Sequence, residues 1–437
     1  MQIEGLTVLV AGMAKSGLAA AELLSKKGAR VIATDIKPLD ATAASHIREL
    51  GADFRLQSQE VFENADLIVL SPGVPVNIVP TNVKAPVIGE LELAAQYLKG
   101  RTIGITGSNG KTTTTSMIGH ILHESGIASQ VGGNIGLPPT AMVDASYDGQ
   151  WNVLELSSFQ LETIHDFRAD IGVCLNITPD HLDRHGSLDA YASAKRRLFE
   201  TQTKNDYAVL NSDDAICSNF KNYVQGKLAW FSLEHRVAAP GFWLEGRTLR
   251  NESQVLMDAG EIPVRGRHNI ENALAAATAA HLAGASHEQI RQALMTFRAV
   301  EHRLEFVRNW KGIDFYNDSK ATNVDAALKA IEAFEGGLWI ILGGKDKDSD
   351  YTVLRDPLKR KARAALLIGA AAHKIANQLN DALPLNHVGD LKTAIETAAT
   401  KAKRGDTVLL APACASFDQF DNYEHRGRVF KTIVNGL

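Results

Sequence analysis

Cysteine is scarce in this chain. Cys174, Cys217 and Cys414 are the 3 thiols in 437 residues, too few and too scattered for a disulfide framework or a zinc cluster. A dominant charge is also missing: 46 Lys and Arg against 50 Asp and Glu leave a net charge of -4. Nothing global therefore draws the chain to nucleic acid or to an anionic membrane. No run of about 18 apolar residues is present to span a bilayer. The opening Met1-Gln2-Ile3-Glu4-Gly5 carries neither the basic start nor the apolar stretch of a signal peptide. Low-complexity tracts and short-period repeats are absent too, which argues against a solenoid. These absences set the expectation of a soluble cytoplasmic protein that handles small molecules, with no nucleic-acid partner and no membrane insertion.

What is present is an ordinary globular composition, 45% hydrophobic and 22% charged, at a length that suggests about three domains. Short β-rich runs alternate with Ala/Leu-rich helical patterns, the signature of parallel sheets covered by helices. The spacing predicts strands at Thr7–Ala11, Val31–Thr34 and Leu67–Leu70, with a helix over Ser16–Lys27. The pattern restarts near Arg101 with a strand at Thr102–Thr106, a helix over Lys111–Glu124, and strands at Asn152–Leu156 and Ile171–Leu175. A helix is expected over Asn269–Ala285. After Val300 it restarts again, with strands at Ile313–Tyr316, Trp339–Leu342, Ala365–Ile368 and Thr407–Leu410, and helices over Val324–Phe334 and Leu391–Lys403. The expected fold class is α/β in three domains, over residues 1–97, 98–298 and 299–437.

The sharpest local motif is Gly107-Ser108-Asn109-Gly110-Lys111-Thr112-Thr113, between an apolar strand and a helix. Glycines let backbone N–H groups curl around phosphate oxygens, the helix start adds positive potential, and Lys111 adds a full charge. A hydroxyl such as that of Thr112 can bind Mg2+. The usual phosphate loop has four residues between its glycines, and Ile105 stands where the first would be, so this is a variant. Downstream, Glu155 ends a strand, where such proteins carry the acidic residue that holds the metal; read alone, it is a solvated turn residue. Asn176-Ile177-Thr178-Pro179-Asp180-His181-Leu182-Asp183 follows another strand end. Read alone it is a loop with a helix cap at Asp180, but three such ends on one side of a parallel sheet favour a shared crevice.

Gly12-Met13-Ala14-Lys15-Ser16-Gly17 follows the first strand, and Asp35 ends the second. Two glycines at this spacing arise by chance about three times in so glycine-rich a chain, and Ala14 fills the position of the middle glycine. A plain strand-to-helix turn and a nucleotide-like ligand both fit; bound NAD does not.

Four segments together carry a resemblance: Thr106–Thr112, Leu154-Glu155-Leu156-Ser157-Ser158-Phe159-Gln160-Leu161-Glu162, Asn317-Asp318-Ser319-Lys320-Ala321-Thr322-Asn323 and Pro412-Ala413-Cys414-Ala415-Ser416-Phe417-Asp418-Gln419-Phe420. Over essentially the whole chain these resemble the Mur ligases, and among them the members that add D-glutamate to UDP-N-acetylmuramoyl-L-alanine. The resemblance implies a Rossmann-like domain for the UDP-sugar substrate, a central P-loop ATPase-like domain, and a Rossmann-like third domain that binds D-glutamate and closes on ATP. It implies an ATP-dependent amide ligase of peptidoglycan precursor synthesis, acting as a monomer with two Mg2+ ions.

By resemblance, Gly107, Ser108, Asn109, Gly110, Lys111, Thr112 and Thr113 hold the ATP phosphates, and Asn269 and Asn272 read adenine. Arg303, Asp318 and Lys320 also belong to the ATP site. Thr112 and Glu155 surround one Mg2+, His181 a second, and Lys195 is carbamylated by CO2, giving anionic oxygens that Mg2+ prefers. Read alone, Lys195 is an ordinary helix-surface lysine. Thr322, Lys347, Ser416 and Phe417 embrace D-glutamate, with Lys345 competing with Lys347 for a carboxylate. Lys15, Ser16, Asp35, Ser71, Gly73 and Asn134 meet the UDP-sugar substrate. The alternatives are another Mur ligase, a folylpolyglutamate synthase-like ligase, and a nucleotide-binding module without catalysis.

Overall fold

The computed structural model describes residues 2–264, 266–298 and 301–437. The chain folds as two compact units. One comprises Met1–Ile177, Gly186–Glu261 and Asn272–Met295; the other comprises Thr178–His185, Ile262–Glu271 and Thr296–Leu437. The expected start of the third domain, residue 299, lies outside the described residues. Among the described residues the strands form three sheets, of five, nine and six strands.

In the first unit, the five-stranded sheet runs in the order Asp53–Leu56, Arg30–Asp35, Thr7–Ala11, Leu67–Leu70 and Val87–Gly89, all parallel. Alternation fixes its two faces. Val8, Val10, Val31, Ala33, Leu67 and Val69 pack with Ala20, Ala21, Leu23 and Leu24 of the helix Lys15–Lys26. Leu9, Ala11, Ile32, Ile68 and Leu70 pack with Val61 and Phe62 on the other face. Burial of both faces explains why these strands read as continuous apolar runs.

The nine-stranded sheet has Arg101–Thr106 between Ile171–Cys174 and Trp151–Glu155, with Ser129–Gly133 on the edge beyond the latter. Tyr207–Asn211, Lys227–Ser232 and Gly241–Glu245 extend it in parallel on the other side. Thr248–Arg250 and Val255–Asp258 then add as antiparallel strands. In the second unit the six-stranded sheet is ordered Glu305–Trp310, Ile313–Asn317, Thr407–Leu410, Leu338–Gly343, Ala362–Ile368 and Leu385–Gly389. The first of these pairs antiparallel and the rest are parallel.

All of the predicted strands and helices named above are present, with ends displaced by at most a few residues. Among the described residues no helix is long and apolar enough to cross a membrane.

Candidate active site

The strand Arg101–Thr106 leaves its sheet between the ends of two parallel neighbours, so its loop is framed by residues that follow them. From one side, Asn176 accepts from the backbone N–H of Ser108 at 2.8 Å through its carbonyl and from that of Asn109 at 2.8 Å through Oδ1. The loop's curvature requires its glycines. Gly110 has φ +86 and caps the helix Lys111–Glu124; an added Cβ would come within 2.3 Å of Asn272 Oδ1. Asn272 Oδ1 also accepts from Thr114 Oγ1 at 3.3 Å. Lys111 Nζ folds back on the loop, donating to the carbonyls of Gly107 at 2.8 Å and Ser108 at 2.9 Å.

On the other side stands Glu155, only 1% exposed. It is therefore not the solvated turn residue that its position alone suggests: flanking strands on both sides bury it. Its Oε2 accepts from Thr112 Oγ1 at 2.7 Å, and its Oε1 from Asn134 Nδ2 at 2.8 Å. A carboxylate and a hydroxyl beside a phosphate loop are the hard oxygen donors Mg2+ prefers, so these residues fit the ion.

Lys195 corrects the surface reading more sharply. It is 1% exposed, because the inward face of the helix Leu188–Arg196 carries Tyr191, Ala192, Ala194 and Lys195. Its Nζ donates to the Gly107 carbonyl at 2.9 Å and lies 4.5 Å from the centre of the Tyr191 ring.

The first glycine turn is held by its own residues. Gly17 is obligatory, since an added Cβ would lie 1.8 Å from the Gly12 carbonyl oxygen. That same oxygen accepts from Ser71 Oγ at 2.7 Å, and Asp35 Oδ2 accepts from the Met13 N–H at 2.7 Å. Lys15 Nζ donates to the Gly136 carbonyl. Ser16 lies half-buried in the first helical turn, while Gly73 is exposed with open space around it. Asp35, Ser71 and Lys15 thus gather at the carboxyl ends of adjacent strands, where the order of the parallel sheet reverses, a position suited to a ligand.

In the second unit, three segments follow the carboxyl ends of the neighbouring strands Ile313–Asn317, Thr407–Leu410 and Leu338–Gly343. Asp318 is buried; burial pushes its carboxyl up to about 7, opposed by the Arg303 guanidinium and the Leu304 N–H. Lys320 Nζ lies 3.8 Å from the centre of the Tyr423 ring, and its carbonyl accepts from the Thr322 N–H. Lys345 and Ala415 exchange backbone hydrogen bonds, bringing the Gly343–Lys347 segment against Ser416, which is buried, and Phe417, which is exposed. Asn269 is buried in the helix Arg267–Leu282, and burial holds the neighbouring His268 imidazole down near 4. His181 adopts φ +53, with its N–H on Asp180 Oδ1 at 3.0 Å.

Two residues here have no individual site role in the sequence, where Asp180 reads as a helix cap and Arg426 is not singled out. Asp180 meets Asn323 Nδ2 at 3.2 Å and Lys347 Nζ at 3.7 Å, so it sets the position of a cation assigned to D-glutamate. Arg426 is fully buried, and its guanidinium donates to Ser319 Oγ, Ser319 O and Cys414 O. It thereby ties together two of the three segments.

Comparison with known proteins matches residues 105–280 to the Mur ligase middle domain and residues 302–414 to the Mur ligase, glutamate ligase domain. The UDP-N-acetylmuramoylalanine–D-glutamate ligase of Solibacter usitatus is 60% identical over 441 residues, covering 100% of this chain and 99% of the relative. The ligase of the same name from Acidobacterium capsulatum is 51% identical over 99% of this chain and 97% of its own. In fold, the crystal structure of UDP-N-acetylmuramate–alanine ligase from Thermotoga maritima matches with a TM-score of 0.63 at 19% identity, over 99% of both chains.

Proposed function

We propose, for a chain that belongs to the Mur ligases and within them to the UDP-N-acetylmuramoylalanine–D-glutamate ligase family, that it joins D-glutamate to UDP-N-acetylmuramoyl-L-alanine at the expense of ATP. The observation that carries this reading is 60% identity to such a ligase along the whole chain. The reaction serves peptidoglycan precursor synthesis in the cytoplasm, and the enzyme works as a monomer in three domains over residues 1–97, 98–298 and 299–437.

A carboxylate at neutral pH is a poor acylating agent, and the chemistry answers this in two steps. The terminal carboxylate of the alanyl substrate attacks the γ-phosphorus of ATP, giving an acyl phosphate and ADP. The amine of D-glutamate then attacks the acyl carbonyl. The tetrahedral intermediate expels phosphate and loses a proton from nitrogen, leaving the amide. Catalysis is chiefly positioning and charge neutralisation, because several anions must be held close together.

In this reading the glycine loop cradles the phosphates through its N–H groups, and Lys111 turns from the Gly107 and Ser108 carbonyls to the β- and γ-phosphates. Thr112 and Glu155 would hold one Mg2+; His181 and a carbamate on Lys195 would hold the second. When bound, the ions neutralise phosphate charge. Asn269 and Asn272 recognise adenine, and Arg303, Asp318 and Lys320 complete the nucleotide contacts. Lys347, Thr322, Ser416 and Phe417 receive D-glutamate, whose two carboxylates call for a cation and several donors. Lys15, Ser16, Asp35, Ser71 and Gly73 receive the uridine nucleotide end. What supports these roles is the resemblance of the motifs that carry them, with the glycine loop framed by Asn176 on one side and by Glu155 through Thr112 on the other.

The test is phosphate release from ATP with UDP-N-acetylmuramoyl-L-alanine, comparing D-glutamate with L-glutamate, L-alanine and meso-diaminopimelate. D-glutamate alone should stimulate release. Stimulation by another amino acid moves the chain to a different ligase, and no stimulation by any of them removes the ligase reading.

A further inference from the structure

The loop Gly132-Gly133-Asn134-Ile135-Gly136 does something its sequence does not announce. The strand Ser129–Gly133 pairs in parallel with Trp151–Glu155, Gly133 standing opposite Glu155. Just past that pair, the Asn134 N–H donates to the Glu155 carbonyl at 2.8 Å and the Asn134 side chain donates to Glu155 Oε1 at 2.8 Å. One residue thus grips both the backbone and the carboxylate of another. The approach depends on Gly133, which has φ +106 and whose added Cβ would lie 2.2 Å from the Glu155 carbonyl oxygen. Asn134 is itself exposed, while Glu155 is buried, so the amide is not there to fill a core. With Thr112 Oγ1 on Oε2, hydrogen bonds to both oxygens fix the carboxylate plane.

We propose that Asn134 is a positioning residue for Glu155, orienting the carboxylate toward the metal ion of the nucleotide site. It was assigned above, by resemblance, to the UDP-sugar substrate. The inference rests on the proposed reading of Glu155 as a metal ligand and assigns Asn134 a duty distinct from substrate contact. Partners outside the coordination sphere that orient a ligating carboxylate are worth about 10- to 100-fold in metal affinity.

The experiment compares the full-length protein with Asn134→Ala and with Asn134→Leu, which keeps the branched shape but has no donor. Mn2+ binding is followed by electron paramagnetic resonance with saturating β,γ-methylene ATP, and UDP-N-acetylmuramoyl-L-alanine binding by calorimetry without nucleotide or metal. Both variants should weaken Mn2+ by about tenfold or more and leave substrate affinity within about twofold. Turnover should recover as Mg2+ is raised. Unchanged Mn2+ affinity with a large loss of substrate affinity would overturn the proposal and return Asn134 to the substrate. If Ala unfolds, the Leu variant decides. Wild-type protein that binds Mn2+ but releases no phosphate with D-glutamate would refute the ligase reading while leaving the positioning role intact.

Discussion

Lys195 Nζ lies 2.9 Å from the carbonyl oxygen of Gly107, the first residue of the phosphate loop, and the lysine is 1% exposed. A buried amine against that loop is where a carbamate would deliver anionic oxygens to the metal site. Under 13CO2, a 13C carbamate resonance should appear in the wild-type protein and vanish in Lys195→Ala, together with at least about a hundredfold loss of kcat. A spectrum without a Lys195-dependent carbamate signal would remove the modification from the mechanism.

Lys111 makes its contacts to carbonyls three and four residues back, within its own loop. Truncation removes a charge from the loop. Lys111→Ala should therefore keep its melting temperature within about 2 °C and lose ATP turnover by at least about three orders of magnitude. Near-normal kcat in this variant would contradict the phosphate role.

The difference between Lys111 and Lys195 also explains what the sequence could reveal. Lys111 is legible because strand, glycines and lysine are contiguous, and the loop's chemistry is written within seven residues. Lys195 sits in a polar helix whose inward face is chosen by tertiary packing, and its partner is 88 residues away. Arg426 offers even less: its partners are Ser319, 107 residues away, and Cys414, and nothing within Tyr423–Asn435 marks it as special. Asp180 reads as a local cap because its partner Asn323 lies 143 residues further on. In the fold, continuous apolar runs such as Thr7–Ala11 and Leu67–Leu70 were legible, whereas the parallel strands Tyr207–Asn211 and Lys227–Ser232 were not named. The antiparallel pieces Thr248–Arg250 and Val255–Asp258 were not named either.

Glu90 gives a pH signature. It is 1% exposed, its Oε1 accepts from the N–H and the hydroxyl of Thr140, and its Oε2 is buried without a hydrogen-bond partner. Burial pushes the carboxyl from 4.5 up to about 7, against the pull of the Thr140 bonds. Between those values the folded protein holds a proton that the unfolded chain has released. The stabilisation is therefore complete below the unfolded value of 4.5 and is lost as pH rises through about 7. Its size is on the order of 3 kcal/mol. Glu90→Gln removes the titration, so denaturation from pH 5 to 8 should show the variant gaining on the wild type as pH rises. Asp318 titrates in the same direction but is present in both proteins and cancels. Parallel pH profiles would show that Glu90 is ionised in the folded state.

Arg426 supplies the last expectation. Its guanidinium has carbonyl and hydroxyl partners in Ser319 and Cys414, and burial lowers its pKa to about 10, which keeps it charged at neutral pH. Replacing it by Met, of similar length and without donors, leaves the Ser319 and Cys414 carbonyls buried without these bonds. The expected cost is about 2–4 kcal/mol of stability. Because the same guanidinium joins the segment carrying Thr322 to the one carrying Ser416 and Phe417, the surviving folded protein should also show a raised KM for D-glutamate. Its KM for ATP should rise as well, since Ser319 lies between Asp318 and Lys320, which are proposed for the nucleotide. Arg426→Lys keeps the charge and part of the bonding, and should recover some of both losses. Unchanged KM values for both substrates in the folded variant would reduce Arg426 to a residue of general stability.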